Sequence, residues 1–188
     1  MRKGNRQQSG IHAMAAVAVM TALTCVLAPL SVPVGAVPLS FVNLVIYLSV
    51  FLLGWKAAAA GYIVYMCIGL VGLPVFSGFH GGAGVLLGPT GGYILGWLPA
   101  IVLMGAGSSR MARLFALLGG TAVCYAAGTA WFCTITDTPL AAALGICVLP
   151  FILGDLAKIA VVLAVGPTLK EKLKKAKVLP AGGSSAKC

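Results

Sequence analysis

The stretch Phe151–Ile152–Leu153–Gly154–Asp155–Leu156–Ala157–Lys158 decides how the chain is read. Asp155 and Lys158 are the only charges in the run 138–169. If that run is a membrane helix, each charge at membrane depth costs about 2.5–3.5 kcal/mol on insertion scales. A spacing of three puts both side chains on one helical face, within reach of each other. Ionisable residues in such a place usually face a bundle interior or a wet cavity and mark a substrate, ion or proton site.

Outward from that stretch, the composition agrees with a membrane setting. The chain is 60% hydrophobic and 9% charged, with a mean hydropathy of +1.05, whereas a soluble domain carries about 25% charge. No Lys, Arg, Asp or Glu occurs in 7–55 or in 57–109, and each interval accommodates two spans of about 20 residues. At this length one bundle is expected. Only Asp137, Asp155 and Glu171 are acidic, so the net charge of +10 comes from basic residues at segment ends. That suits an anionic lipid bilayer surface. It does not suit nucleic acid, because no aromatic residues interleave with the basic ones. The six cysteines form no CxxC and have no His at metal-ligand spacing, so they read as small hydrophobes. The apolar run after Arg2, Lys3 and Arg6 reads as a retained first helix rather than a removed signal.

Punctuation by Gly, Pro and charge predicts six spans, at about 12–30, 39–53, 57–73, 92–107, 114–133 and 140–165. The expected fold is therefore an all-α membrane protein, a bundle of six transmembrane helices. It divides into a basic N-terminus 1–11, a binding domain 12–166 and a basic tail 167–188. Arg2, Lys3, Arg6, Lys56, Arg110, Arg113 and the lysines from Lys170 to Lys177 all fall on one side of the weave. The positive-inside rule then makes both termini cytoplasmic. The external turn 31–38 holds Pro33, Gly35 and Pro38 and should be stiff. The longer external loop 74–91 is Gly-rich but carries Val75, Phe76, Phe79 and Leu86, which suggests a loop folded back over the bundle. Beyond 171 we expect a basic amphipathic helix end and then a flexible Gly/Ser stretch.

Lys170 marks the cytoplasmic end of the last span, so Asp155 lies roughly 22 Å and Lys158 roughly 18 Å above it, in the outer half of the bilayer. Pro150 can kink the helix or end its regular part. An Asp–Lys pair sets a strong acceptor beside a strong donor, which a neutral ligand with N–H groups next to a carbonyl satisfies at once. A cyclic urea or amide fits; the competing reading is an ion pair that only orients the helix. Further candidates are Asn43, His80 at the loop tip, Tyr93 beside Gly91–Gly92, and Phe41 as a stacking wall, with Tyr47 also in that span. Trp55, Trp97 and Trp131 read as belt residues. Ala18 and Ala22, and Gly88, Gly92 and Gly96, recur at spacing four, which permits close helix packing or docking of another membrane protein. No Ser/His/Asp set, HExxH or phosphate-cradling GxxxxGK[ST] is present, so an enzyme is not expected, and no cofactor or metal is implied.

Several of these stretches together resemble the BioY family, the biotin-binding S components of energy-coupling factor (ECF) transporters. They are Val37–Pro38–Leu39–Ser40, the run Gly69–Leu70–Val71–Gly72–Leu73–Pro74–Val75–Phe76–Ser77–Gly78, the string Gly88–Pro89–Thr90–Gly91–Gly92–Tyr93, and Gly154–Asp155–Leu156–Ala157–Lys158. The resemblance covers about 15–165. It implies a cell-membrane subunit with six helices and biotin bound near the external side, its ureido ring addressed by Asp155 and Lys158. It implies as partners a transmembrane coupling protein, docked by the small-residue face that maps onto Ala18 and Ala22, and two ATPases. Asn43 stands where the family pattern leads to Gln, one methylene longer. The alternative functions are a stand-alone channel or proton-coupled carrier using Asp155, and a membrane scaffold with an inert ion pair.

Overall fold

The structure is a computed structural model that describes residues 2–34, 37–107 and 109–176. Gly35, Lys177, Cys188 and the Gly/Ser tail lie outside the described residues. Among those residues the chain forms eight helices and one short ribbon: α1 (Arg2–Leu27), β1 (Ser31–Val34), β2 (Val37–Ser40), α2 (Val42–Leu53), α3 (Trp55–Leu70), α4 (Ala83–Leu87), α5 (Gly91–Met104), α6 (Arg110–Thr136), α7 (Leu140–Cys147) and α8 (Leu149–Lys175). α1 and α8 run through the basic segments expected to flank the bundle, so both are continuous with it.

Among the described residues, three helical stretches are long and apolar enough to cross a membrane: 10–27 within α1, all of α6, and α8. α2, α3 and α5 are apolar but shorter. Large hydrophobic side chains such as Val19, Val102, Leu153 and Val165 are exposed on the outer faces, as suits a chain whose solvent is hydrocarbon rather than water.

Two departures from the expected elements have local causes. The turn expected over 31–38 is an antiparallel ribbon with Val32 opposite Leu39 and Pro33 opposite Pro38. Proline is disfavoured inside a helix but tolerated on a sheet edge, and the alternating valines favour extended backbone. An all-α description therefore omits one small element. The last apolar run is not one continuous helix but two, broken at Val148, whose φ −122° and ψ −54° are non-helical. Pro150 sits in the first turn of α8, where its missing N–H costs nothing, rather than kinking the middle.

α2 and α3 are joined by Gly54 alone, at φ +86°. That left-handed conformation is open to glycine and strained for other residues. α6 starts with Ser109, whose Oγ accepts the Ala112 N–H at 3.1 Å, and ends at Asp137 in the left-handed region.

α5 and α6 form the most extensive helix pair. A Cβ at Gly92 would fall on Trp131, and one at Gly128 on the Tyr93 ring. Here the glycine row Gly92–Gly96 serves packing within the bundle. The core runs through Tyr47, Trp97, Ile101, Met104, Leu117 and Val162. At one end, Arg113 from α6 and Lys170 from α8 both lie over the Phe51 ring, at 5.0 and 5.6 Å from its centroid. Lys170 Nζ also donates to the Phe51 carbonyl at 2.9 Å. Ala18 and Ala22 are exposed on α1.

The loop 74–90 is folded onto the helices. Phe76 is buried and meets Tyr65 edge-on at 5.6 Å, and its N–H bonds the His80 carbonyl at 2.9 Å. The Gly78 N–H reaches the Pro29 carbonyl at 3.1 Å, and the Gly82 N–H the Gly69 carbonyl at 2.7 Å. Trp131 Nε1 holds the far end through the Gly88 carbonyl at 3.0 Å.

Candidate functional site

Asp155 points inward from α8 and is 2% exposed. A lone buried carboxylate would be prohibitive, and this one is surrounded by donors. Asn43 Nδ2, from the first turn of α2, donates to Oδ1 at 2.8 Å and Oδ2 at 2.9 Å. The Tyr125 hydroxyl, from α6, donates to Oδ2 at 2.5 Å. Lys158, one turn on in α8, bonds Oδ1 at 3.0 Å and the Ser40 carbonyl at 2.9 Å. The Asp155–Lys158 pair therefore joins β2, α2, α6 and α8.

In front of Asp155 lies a cavity of about 560 Å³, inside the range of small-molecule sites. Its polar end is Asp155 with Asn43 and Tyr125. Its walls are largely aromatic, from Tyr62, Tyr65, Phe76, Tyr93, Trp97 and Phe151. Loop residues close one side and bring Ser77, His80 and Thr90 to the rim of polar groups, with Ser31 and Ser40 from the ribbon. Such a site presents one strong hydrogen-bonding pole and a flat-sided apolar body. It fits a small, ring-containing ligand with N–H donors at one end.

The expected site residues separate into three groups. Asp155, Asn43, Tyr93 and His80 line the cavity. Tyr93 is fixed through its hydroxyl to Thr129 Oγ1 at 3.0 Å, and His80 Nδ1 lies 3.1 Å from the Ser77 carbonyl. Lys158 and Phe41 are not among the lining residues: Lys158 backs the carboxylate from behind, and Phe41 stands half-exposed just ahead of α2. Ala18 and Ala22 are remote, on the outer face of α1. Trp97 and Trp131 are corrections to the belt reading. Trp97 is buried, meets Tyr47 edge-on at 5.8 Å and lines the cavity, while Trp131 holds the loop.

Sequence reasoning missed Tyr125, although a signal existed. Thr121, Tyr125 and Thr129 recur at spacing four in an apolar helix, which places a polar stripe on one face. Each meets a different element: Thr121 takes the Tyr47 hydroxyl at 2.7 Å, Tyr125 meets Asp155, and Thr129 meets Tyr93. Removing the Tyr125 hydroxyl withdraws one charge-assisted bond, so Tyr125→Phe should lower stability by about 1.5–3 kcal/mol. Thermal unfolding in detergent would read this directly, and an unchanged midpoint would show the bond to be idle.

Comparisons with known proteins agree with the geometry. A family described as the BioY family matches residues 2–175. A "Probable biotin transporter BioY" of Pyrococcus horikoshii is 37% identical over 154 residues, covering 82% of this chain and 93% of its own. A "Biotin transporter BioY" of Thermotoga maritima is 32% identical over 157 residues, covering 81% and 92%. The fold resembles the crystal structure of an S-component for biotin from an ECF-type ABC transporter, with a TM-score of 0.79 and 28% identity over 86% of this chain and 92% of that one.

Proposed function

This chain belongs to the BioY family, and from that premise we propose that it is the membrane subunit that captures biotin from outside and delivers it to the cytoplasm. Delivery would be driven by ATP through an ECF module, a transmembrane coupling protein with two ATPases, and the chain itself would not be an enzyme. The observation that carries the reading is the cavity with Asp155 at its polar end. Biotin offers a ureido N–H for that carboxylate, a fused apolar ring for the aromatic walls, and an acid tail. The tail would reach the hydroxyls and His80 at the loop side, away from Asp155, which would repel it. Tyr93 would form part of the ring's wall. Lys158 would act through Asp155, keeping the carboxylate aimed, and Phe41 would contribute from outside the cavity as the ligand enters.

The same reading has six membrane crossings, with α2, α3 and α5 as short spans and the α7–α8 pair as the sixth. Residues 12–166 would form the binding unit, and the basic segments 1–11 and 167–188 would be cytoplasmic. The meeting of Arg113 and Lys170 over Phe51 supports this arrangement, because it gathers basic residues of two connections at one end. Ala18 and Ala22, exposed on α1, would give the coupling protein a close-packing face. A carrier using Asp155 is less well supported, since Asn43, Tyr125 and Lys158 tie the carboxylate into the packing of α2, α6 and α8.

The test is binding of labelled biotin to the purified chain in detergent without ATP. Saturable binding at one site per chain is expected; absence of binding would remove the proposal.

A further inference from the structure

We propose that Asn43 is a built-in stand-in for the ligand, holding on Asp155 the acceptor position that a ligand N–H takes when bound. This rests on the biotin-binding reading above and adds to it the exchange that admits the ligand.

A carboxylate offers about four lone-pair positions. Here all are engaged: Asn43 Nδ2 reaches both oxygens, Lys158 takes Oδ1 and Tyr125 takes Oδ2. A ureido N–H therefore enters by exchange, not by addition. The three donors differ in how easily they leave. Lys158 carries the compensating charge, is held a second time by the Ser40 carbonyl, and does not line the cavity. Its departure would strand a buried carboxylate. Tyr125 lines the cavity but gives only one bond, from a ring fixed on α6. Asn43 lines the cavity, is neutral, and makes both of its bonds through one nitrogen. Rotation of that single side chain frees a position on each oxygen.

The nitrogen of Asn43 must face Asp155, because the amide oxygen would meet an acceptor-only group. Its N–H thus presents to the carboxylate what one N–H of a cyclic urea presents. Once turned, the carboxamide keeps its donors and gives one to the ureido carbonyl. One ligand N–H goes to Asp155, and the Asn43 N–H goes from Asp155 to the ligand oxygen. Lys158 and Tyr125 hold the carboxylate still throughout.

The experiment is stopped-flow association of fluorescent biotin with the purified full chain in detergent, wild type against Asn43→Ala. The substitution leaves the Asp155–Lys158 pair and Tyr125 in place, and size-exclusion chromatography checks the fold. Association about tenfold faster in Asn43→Ala is expected, since charge-assisted bonds no longer break on entry, with faster dissociation because the bond to the ureido oxygen is lost. Unchanged or slower association, with the wild type binding normally, overturns the exchange alone. Absence of wild-type binding overturns the biotin reading and the exchange with it. A second measurement needs no variant. The chain has only two asparagines, Asn5 and Asn43, so ¹³C-asparagine labelling isolates their side-chain carbonyls in an infrared difference spectrum. Addition of biotin should shift one band, and an unshifted spectrum overturns the proposal.

Discussion

Asp155→Asn should abolish biotin binding to the purified chain. The carboxylate accepts from Asn43, Tyr125 and Lys158 at once, and an amide in its place presents one acceptor and one donor group to the same donors. At least one N–H would then face another N–H, and the Lys158 ammonium would lose its only acidic partner among the described residues. Leaving one charge of a buried pair uncompensated costs about 3–5 kcal/mol, equivalent to roughly 10²–10³-fold or more in affinity when it falls on the binding surface. Equilibrium binding of labelled biotin measures it, and affinity within a few-fold of wild type would sink the assignment of Asp155. Lys158→Ala should lose binding as well, although Lys158 does not line the cavity, because it strands the carboxylate from behind.

Gly128→Val should cost both stability and binding. A Cβ at Gly128 falls on the Tyr93 ring, which sits between α6 and the cavity. Overpacking of this kind costs about 1–3 kcal/mol where the neighbour can shift. Here the shift is opposed by the Tyr93–Thr129 bond and by the tight α5–α6 seam, so about 3 kcal/mol is expected in thermal unfolding. The displaced ring would also enter the cavity, lowering biotin affinity. Gly145→Ala is the matched control: its Cβ meets open space and the helix gains propensity. Equal losses from the two substitutions would show that glycine content, rather than this contact, matters.

Much of the plan was legible because it depends on local facts. Charge-free intervals and the loop's apolar members are properties of short windows, and solvent or lipid acts on each window separately. The loop does fold onto the helices, through Phe76 and the backbone bonds of Gly78 and Gly82. The ribbon was hidden because Pro33 and Pro38 signal a turn, while in the structure each is the other's pairing partner. The break at Val148 was hidden because periodicity continues across it; Pro150 pointed to the region but not to the residue that departs from helical geometry. Trp97 was misjudged because a tryptophan near a span end reads alike whether it faces headgroups or a cavity.

By itself, the sequence determined that this is a membrane chain, that Asp155 and Lys158 are its costly charges in the last apolar run, and that they share a helical face. Motif strings then tied the pair to a biotin-binding family. Only the tertiary structure decided which side of Asp155 meets the cavity. Lys158 lies behind it, while Asn43, 112 residues away, and Tyr125, 30 residues away, stand in front. The physical reason is that helical periodicity sets the face on which a residue lies, but not the rotation at which that face meets its neighbours. Which donors fill the four lone pairs of one carboxylate is settled by the packing of α2, α6 and α8 together.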